Sequence, residues 1–87
     1  MKEFLKELGI QGNPVESGKS LVLDIEGSDN YGRIYSKLDR SELVEEDSES
    51  SNITLDGSTI NFESEKYLIT LIADFNGDKY KLTIKER

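Results

Sequence analysis

The sequence predicts an α+β domain: a short N-terminal helix packed on an antiparallel β-meander of about six strands in three hairpins, forming a curled sheet or a small barrel. Three observations carry this expectation. The first eight residues hold an apolar stripe at helical spacing that stops at Gly9. Three turn signals follow, Gly27-Ser28-Asp29-Asn30, Asp56-Gly57 and Asn76-Gly77, each flanked by alternating apolar and polar residues. Leu, Ile, Val and Phe make up 24 of the 87 residues, above the roughly 20% below which a charged chain tends to stay unfolded. A chain this short makes one domain, residues 1–87, with a small margin of stability.

The helix occupies residues 1–9. Phe4, Leu5 and Leu8 lie on one face, Gly9 stops the helix, and Ile10 stands where a Schellman cap places its apolar contact. Asn13-Pro14 prevents continuation. A helix of seven or eight residues does not persist alone in water, so it must dock on the sheet.

The first hairpin is expected over residues 20–38, turning through 27–30 and placing Leu23 opposite Ile34, Val22 opposite Tyr35 and Asp24 opposite Arg33. Residues 39–50 then read as an acidic loop or a short helix, because Asp39 followed by Glu42 has the form of a capping box. The second hairpin, residues 51–63, turns at Asp56-Gly57. It pairs Ile53 with Ile60, Asn52 with Asn61 and Thr54 with Thr59, and leaves Leu55 on the face of Phe62. The third, residues 66–86, turns at Asn76-Gly77 in a two-residue type I′ turn. It pairs Asp74 with Lys79, Ala73 with Tyr80, Leu71 with Leu82 and Ile69 with Ile84. Slipping this register by one residue breaks both its charge pairs and its apolar pairs. Val22, Tyr35, Leu68 and Ile72 fall on the face opposite the main apolar stripe, and the N-terminal helix is the expected cover for them. A partner or a second copy of the chain is the alternative.

Several chemistries are disfavoured. The chain has no Cys, hence no disulfide, thiolate metal site or thiol nucleophile. It has no His, hence no imidazole base near neutral pH and no Ser-His relay, and an enzyme is not expected. Ser17-Gly18-Lys19-Ser20 looks like the end of a P-loop, but Asn13 stands where the first Gly is required and a strand follows instead of a helix. Asp74, Asn76 and Asp78 begin like an EF-hand loop, yet Lys79 and Lys85 occupy the positions of its Gly and its closing Glu. No cofactor and no metal are expected. Scattered basic residues in a net negative field argue against direct nucleic-acid binding. No apolar run reaches membrane-spanning length and no secretory h-region follows Met1, so a cytoplasmic protein is expected.

Charge is the most informative feature. Residues 39–65 hold nine carboxylates against the single base Arg40, a formal charge of −8, while the other sixty residues carry +1. Such asymmetry fits either a solvated acidic face or a surface for a basic partner, and the second is the expected role. In size, charge and α+β meander the chain resembles the small acidic nucleic-acid mimics that phages use against host nucleases and defence systems. That resemblance implies a non-enzymatic inhibitor occupying the basic surface of a nucleic-acid-binding enzyme. The expected contacts are Glu42, Glu45, Glu46, Asp47 and Glu49, with Asp56, Glu63 and Glu65 completing the surface. The alternative is a protein-interaction module or homodimer that uses an open strand edge or the second apolar sheet face.

Overall fold

Phe4, Leu5 and Leu8 are buried on one side of α1 (Lys2–Leu8) in the computed structural model, which describes all 87 residues. Gly9 ends the helix at φ 77°, its N–H donating to the Lys6 carbonyl (3.0 Å) and the Ile10 N–H donating to Leu5 (2.9 Å). This is the expected Schellman closure, with Ile10 buried behind it. Past Pro14, β1 (Val15–Ser17) turns through Gly18-Lys19 into β2 (Ser20–Ile25).

The expected first hairpin does not form. Ser28–Arg40 is a helix, α2, and the Gly27–Asn30 stretch is its start rather than a β-turn. Tyr31, Ile34, Tyr35 and Leu38 recur at i, i+3, i+4 and i+7, which is one helical face, and that face packs against the sheet. Asp29 in the first turn and Lys37 and Arg40 in the last complement the helix dipole. β2 therefore pairs with the C-terminal strand: Val22 meets Thr83 instead of Tyr35, Leu23 meets Leu82 instead of Ile34, and Asp24 meets Lys81 instead of Arg33. Nor does residue range 39–50 form a separate loop or helix. Asp39 and Arg40 finish α2, and β3 (Glu45–Ile53) begins after a short turn.

β3, β4 (Gly57–Glu63), β5 (Tyr67–Asp74) and β6 (Lys79–Glu86) form the expected meander. The β5–β6 register is the predicted one at all four pairs, Asp74–Lys79, Ala73–Tyr80, Leu71–Leu82 and Ile69–Ile84. Its turn differs: positive φ falls on Asp78, not on Asn76 and Gly77, and the Asp74 carboxylate accepts the Gly77 N–H (3.1 Å).

The β3–β4 hairpin turns one residue earlier than expected, through Leu55-Asp56, with Thr54 and Gly57 hydrogen-bonded across it. Asn52 pairs with Thr59 and Ile53 with Ser58, so Ile53 and Leu55 are 70% and 98% exposed rather than set into the core. Gly57 explains the shift. A Cβ there would lie 2.6 Å from the Ala73 carbonyl oxygen, so this glycine permits close approach of β5 rather than supplying the positive φ of a type I′ turn.

All six strands are antiparallel in the order β1-β2-β6-β5-β4-β3, and the sheet stays open instead of closing into a barrel. Both helices cover the same face, where Leu21, Leu23, Ile60, Phe62, Ile69, Leu71, Leu82 and Ile84 form the core with α1 and α2. Ring contacts fix the helices to it: Phe4 lies 4.6 Å from Tyr67, Tyr31 5.2 Å from Tyr80 and Tyr35 6.3 Å from Phe62. The one buried polar side chain, Ser58, is satisfied by the Tyr31 hydroxyl at 2.8 Å. The N-terminal helix therefore leaves the second sheet face uncovered, and Tyr35 belongs to the core side. No helix is long and apolar enough to cross a membrane.

Candidate functional site

The acidic segment is an edge strand. β3 reads Glu-Glu-Asp-Ser-Glu-Ser-Ser-Asn-Ile, with no apolar residue before Ile53, and every one of its residues retains solvent contact. It is held by backbone pairing with β4 and by the buried Val44 at its entrance. Midway, Ser48–Ser51 stand against Ile60 alone, because pairing passes from Asp47–Asn61 directly to Asn52–Thr59. This long bulge is pinned by polar side chains. The Ser50 hydroxyl donates to the Asp47 carboxylate (2.8 Å) and the Ser51 hydroxyl to the Asp47 carbonyl (2.8 Å). The Asn61 N–H donates to Ser51 Oγ (3.0 Å), while Thr70 Oγ1 donates to the Asn61 amide oxygen (2.9 Å). Bulges of this kind twist an edge away from further pairing.

Register distributes the expected contact residues over two faces and both ends of the hairpin. Glu45, Asp47 and Glu63 share the uncovered sheet face, because they are cross-strand or same-face neighbours out of phase with buried Phe62. Glu45 and Asp47 are two strand residues apart, about 6.8 Å. Glu46 pairs with Phe62 and so lies on the helix side of the edge. Glu49 projects from the bulge, and Glu42 lies in the turn leading into β3. Glu65 sits in the β4–β5 turn, at the same end as Glu42 and Glu45. Asp56 stands apart in the opposite turn, about 24 Å from Glu63 along β4 at ordinary strand rise.

Two acidic residues outside the expected set join this end. Glu3 and Glu7 of α1 border a shallow hollow of about 280 Å³ together with Glu65, Lys66 and the half-exposed Leu43. Their i, i+4 spacing on the first helix was visible in the sequence, but docking of α1 beside the β4–β5 turn was not.

Few cations neutralise the cluster. Two ion pairs exist in the molecule, Met1 amine to Glu16 (3.7 Å) and Arg87 to Glu63 (2.8 Å). Arg87 also donates from Nε to the Ser64 carbonyl (3.0 Å), which holds it beside the Glu45–Glu63 pair, where two like charges directly opposite would otherwise cost stability. Glu42, Glu45, Glu46, Asp47, Glu49, Asp56 and Glu65 make no ion pair. No three carboxylates converge in a metal-binding group.

The field of the cluster reaches Tyr35. Burial first, then the charges of Glu46 and Asp39, push its hydroxyl above the ordinary value of 10.0. Tyr80 is raised as well, chiefly by its hydrogen bond to Asp78 (2.9 Å). A raised folded-state value means that the phenolate is disfavoured in the folded state. The associated stability is complete below the ordinary value and is lost as pH climbs through the raised one. Unfolding free energy is thus expected to fall above pH of about 10. Tyr35→Phe should flatten part of that decline, as read by urea unfolding at a series of alkaline pH values. An unchanged decline in the variant would remove Tyr35 from this account.

Comparison with protein-family models, with curated proteins and with solved structures finds no match to this chain.

Proposed function

We propose that this chain is a non-enzymatic inhibitor whose acidic β3 edge occupies the basic groove of a nucleic-acid-handling protein. The observation that carries the reading is the run of unneutralised carboxylates along an ordered strand edge: Glu42, Glu45, Glu46, Asp47 and Glu49 on β3 and its entrance, extended by Glu65 and by Glu3 and Glu7. Charges carried on a strand edge bind a basic groove with less backbone ordering than a loose loop would need, associate quickly through electrostatic steering, and bind more weakly as salt rises. The test is retention of proteins on the immobilised chain at low ionic strength, with elution by a NaCl gradient. The eluted proteins are then assayed for nucleic-acid binding or cleavage with and without added chain. The expected result is a basic protein, released by salt, whose activity on nucleic acid falls when the chain is restored. Salt-insensitive retention, or activity that the chain does not alter, would sink the proposal.

A second reading rests on the uncovered sheet face, where Leu68 is 44% exposed and Val15 and Ile72 are exposed too. Leu68 is flanked in register by Lys85 on β6 and Glu63 on β4. Two copies packed face to face about a two-fold axis along β5 bring Leu68 onto Leu68 and Lys85 over Glu63, whereas an axis across the strands sets lysines of β6 on lysines. The first arrangement is a self-complementary dimer. Sedimentation of the wild-type chain and of Leu68→Asp decides it: a dimer in the first and a monomer in the second supports this reading, and a wild-type monomer at millimolar concentration removes it.

A further inference from the structure

β1 covers only the first half of β2. Pairing between them runs from Ser17–Ser20 to Val15–Val22 and stops, while β2 continues against β6 through Leu23–Leu82, Asp24–Lys81 and Ile25–Tyr80. Residues Leu23–Ile25 therefore have a strand neighbour on one side alone. The phase of the ladder follows from the Glu86 N–H donating to the Lys19 carbonyl (2.9 Å), which makes that pair hydrogen-bonded. In antiparallel sheet the hydrogen-bonding direction alternates, so Leu21, Leu23 and Ile25 address β6 while Ser20, Val22 and Asp24 address the outer side. The main-chain N–H and C=O of Asp24 consequently face outward, past the end of β1.

A cavity of about 550 Å³ lies along this bare edge, walled by α2 on one side and by the Gln11–Asn13 loop on the other. Its volume falls within the roughly 300–1,000 Å³ usual for ligand sites. Its inner wall is apolar and made of the core residues Ile10, Ile25 and Ile34. Arg33 and Lys37, one turn apart on α2, border it; neither pairs with a carboxylate, and Lys37 Nζ donates to the Gly9 carbonyl. Two acidic residues also border it, of which Asp24 is directed elsewhere and Glu26 lies at the rim past the end of β2. Asp24 is out of phase with buried Leu23 and Ile25, so its side chain lies on the uncovered face, in register with Lys81. The Glu26 main-chain carbonyl accepts the Asn30 side-chain amide (2.7 Å), which ties the groove rim to the start of α2.

An unpaired strand edge, a flanking helix and cations on that helix are the elements of strand addition. We infer that this groove binds an extended acidic peptide segment of another protein, which adds beside Leu23–Ile25. Its main chain bonds Asp24, and an acidic side chain on its helix-facing side meets Arg33. The occupant is acidic because the unpaired charges on the helix wall are positive, in a molecule whose net charge of −7 otherwise repels acidic ligands. This surface is separate from the β3 edge, at the other end of the strand order, so the inference stands apart from the inhibitor reading.

The experiment titrates the full chain with a short end-blocked peptide alternating glutamate and valine, and with its lysine counterpart. Backbone amide shifts and fluorescence anisotropy are the readouts. The expected result is saturable binding of the glutamate peptide, with largest shifts at Asp24 and its neighbours, and no shifts at those residues with the lysine peptide. Arg33→Glu, at an exposed position with no ion pair to lose, should weaken binding about tenfold through lost attraction and new repulsion. Reversing charges on β3 should not weaken it, and at low salt should strengthen it slightly by lowering the net negative charge. Absence of glutamate-peptide binding at millimolar concentration, equal shifts at Asp24 with both peptides, or glutamate-peptide shifts confined to the β3 edge would overturn the inference. So would full affinity in Arg33→Glu.

Discussion

Leu82→Ala is expected to lower the unfolding free energy by about 3.5 kcal/mol, the middle of the range for truncating a buried leucine. Leu82 is 0% exposed, sits on β6 near the centre of the sheet order, and is flanked in register by Leu23 and Leu71, both buried. Its cross-strand neighbours are held by the ladder, and both helices pack on the same face. The cavity therefore cannot collapse, and the cost is the transfer term plus the void. Against a total stability of roughly 5–15 kcal/mol, with a chain this short at the lower end, the variant should be unfolded at moderate urea. The control is Leu55→Ala. Leu55 is 98% exposed at the hairpin tip, so its truncation should change stability by less than about 0.5 kcal/mol. Urea midpoints at constant m-value measure both. Comparable losses in the two variants would mean that the β3–β4 turn places Leu55 in the core, contrary to the observed register.

The contrast between those leucines marks what was legible in the sequence. The β5–β6 hairpin could be read because its information is local: Asp74 with Lys79 and three apolar pairs agree on one register, whatever the turn type. Ser28–Arg40 could not be read in the same way. Ile34, Ser36 and Leu38 alternate as a strand would, while Tyr31, Ile34, Tyr35 and Leu38 repeat as a helix does. The choice is made by partners distant in the chain, Tyr80 for Tyr31 and Phe62 for Tyr35, which only a helix meets together. Gly57 misled for a related reason, since the demand for glycine comes from Ala73 across the sheet rather than from the turn itself. β3 carries no apolar alternation, and it becomes a strand because β4 offers an edge and Asp47, Ser50, Ser51 and Asn61 close its bulge. The carboxylates of the candidate site were visible as a charge excess. Their division between two sheet faces, the isolation of Asp56 and the addition of Glu3 and Glu7 depended on register and helix docking, which local composition does not encode.

Simultaneous reversal of Glu45, Glu46 and Glu49 to Lys should weaken binding to the basic partner by about 100-fold. Each of these carboxylates is exposed and makes no ion pair within the chain, so none has an intramolecular ion pair to lose. Asp47 is spared because it anchors the bulge, and Glu63 because Arg87 holds it. A partly exposed charge contact is worth about 1 kcal/mol at most, so three lost contacts supply roughly 3 kcal/mol, close to 100-fold, before repulsion is added. The association rate should fall with the affinity, and the salt dependence should flatten, since steering comes from the same charges. The fold should survive. Glu45→Lys exchanges a like-charge pair across from Glu63 for an attractive one, so thermal stability is expected to hold or rise slightly at low salt. Circular dichroism establishes that the variant is folded, and stopped-flow association across a NaCl series establishes the rest. A folded triple variant that binds at the parental rate and affinity would show that the acidic edge is a solvated surface, and the inhibitor reading would fall with it.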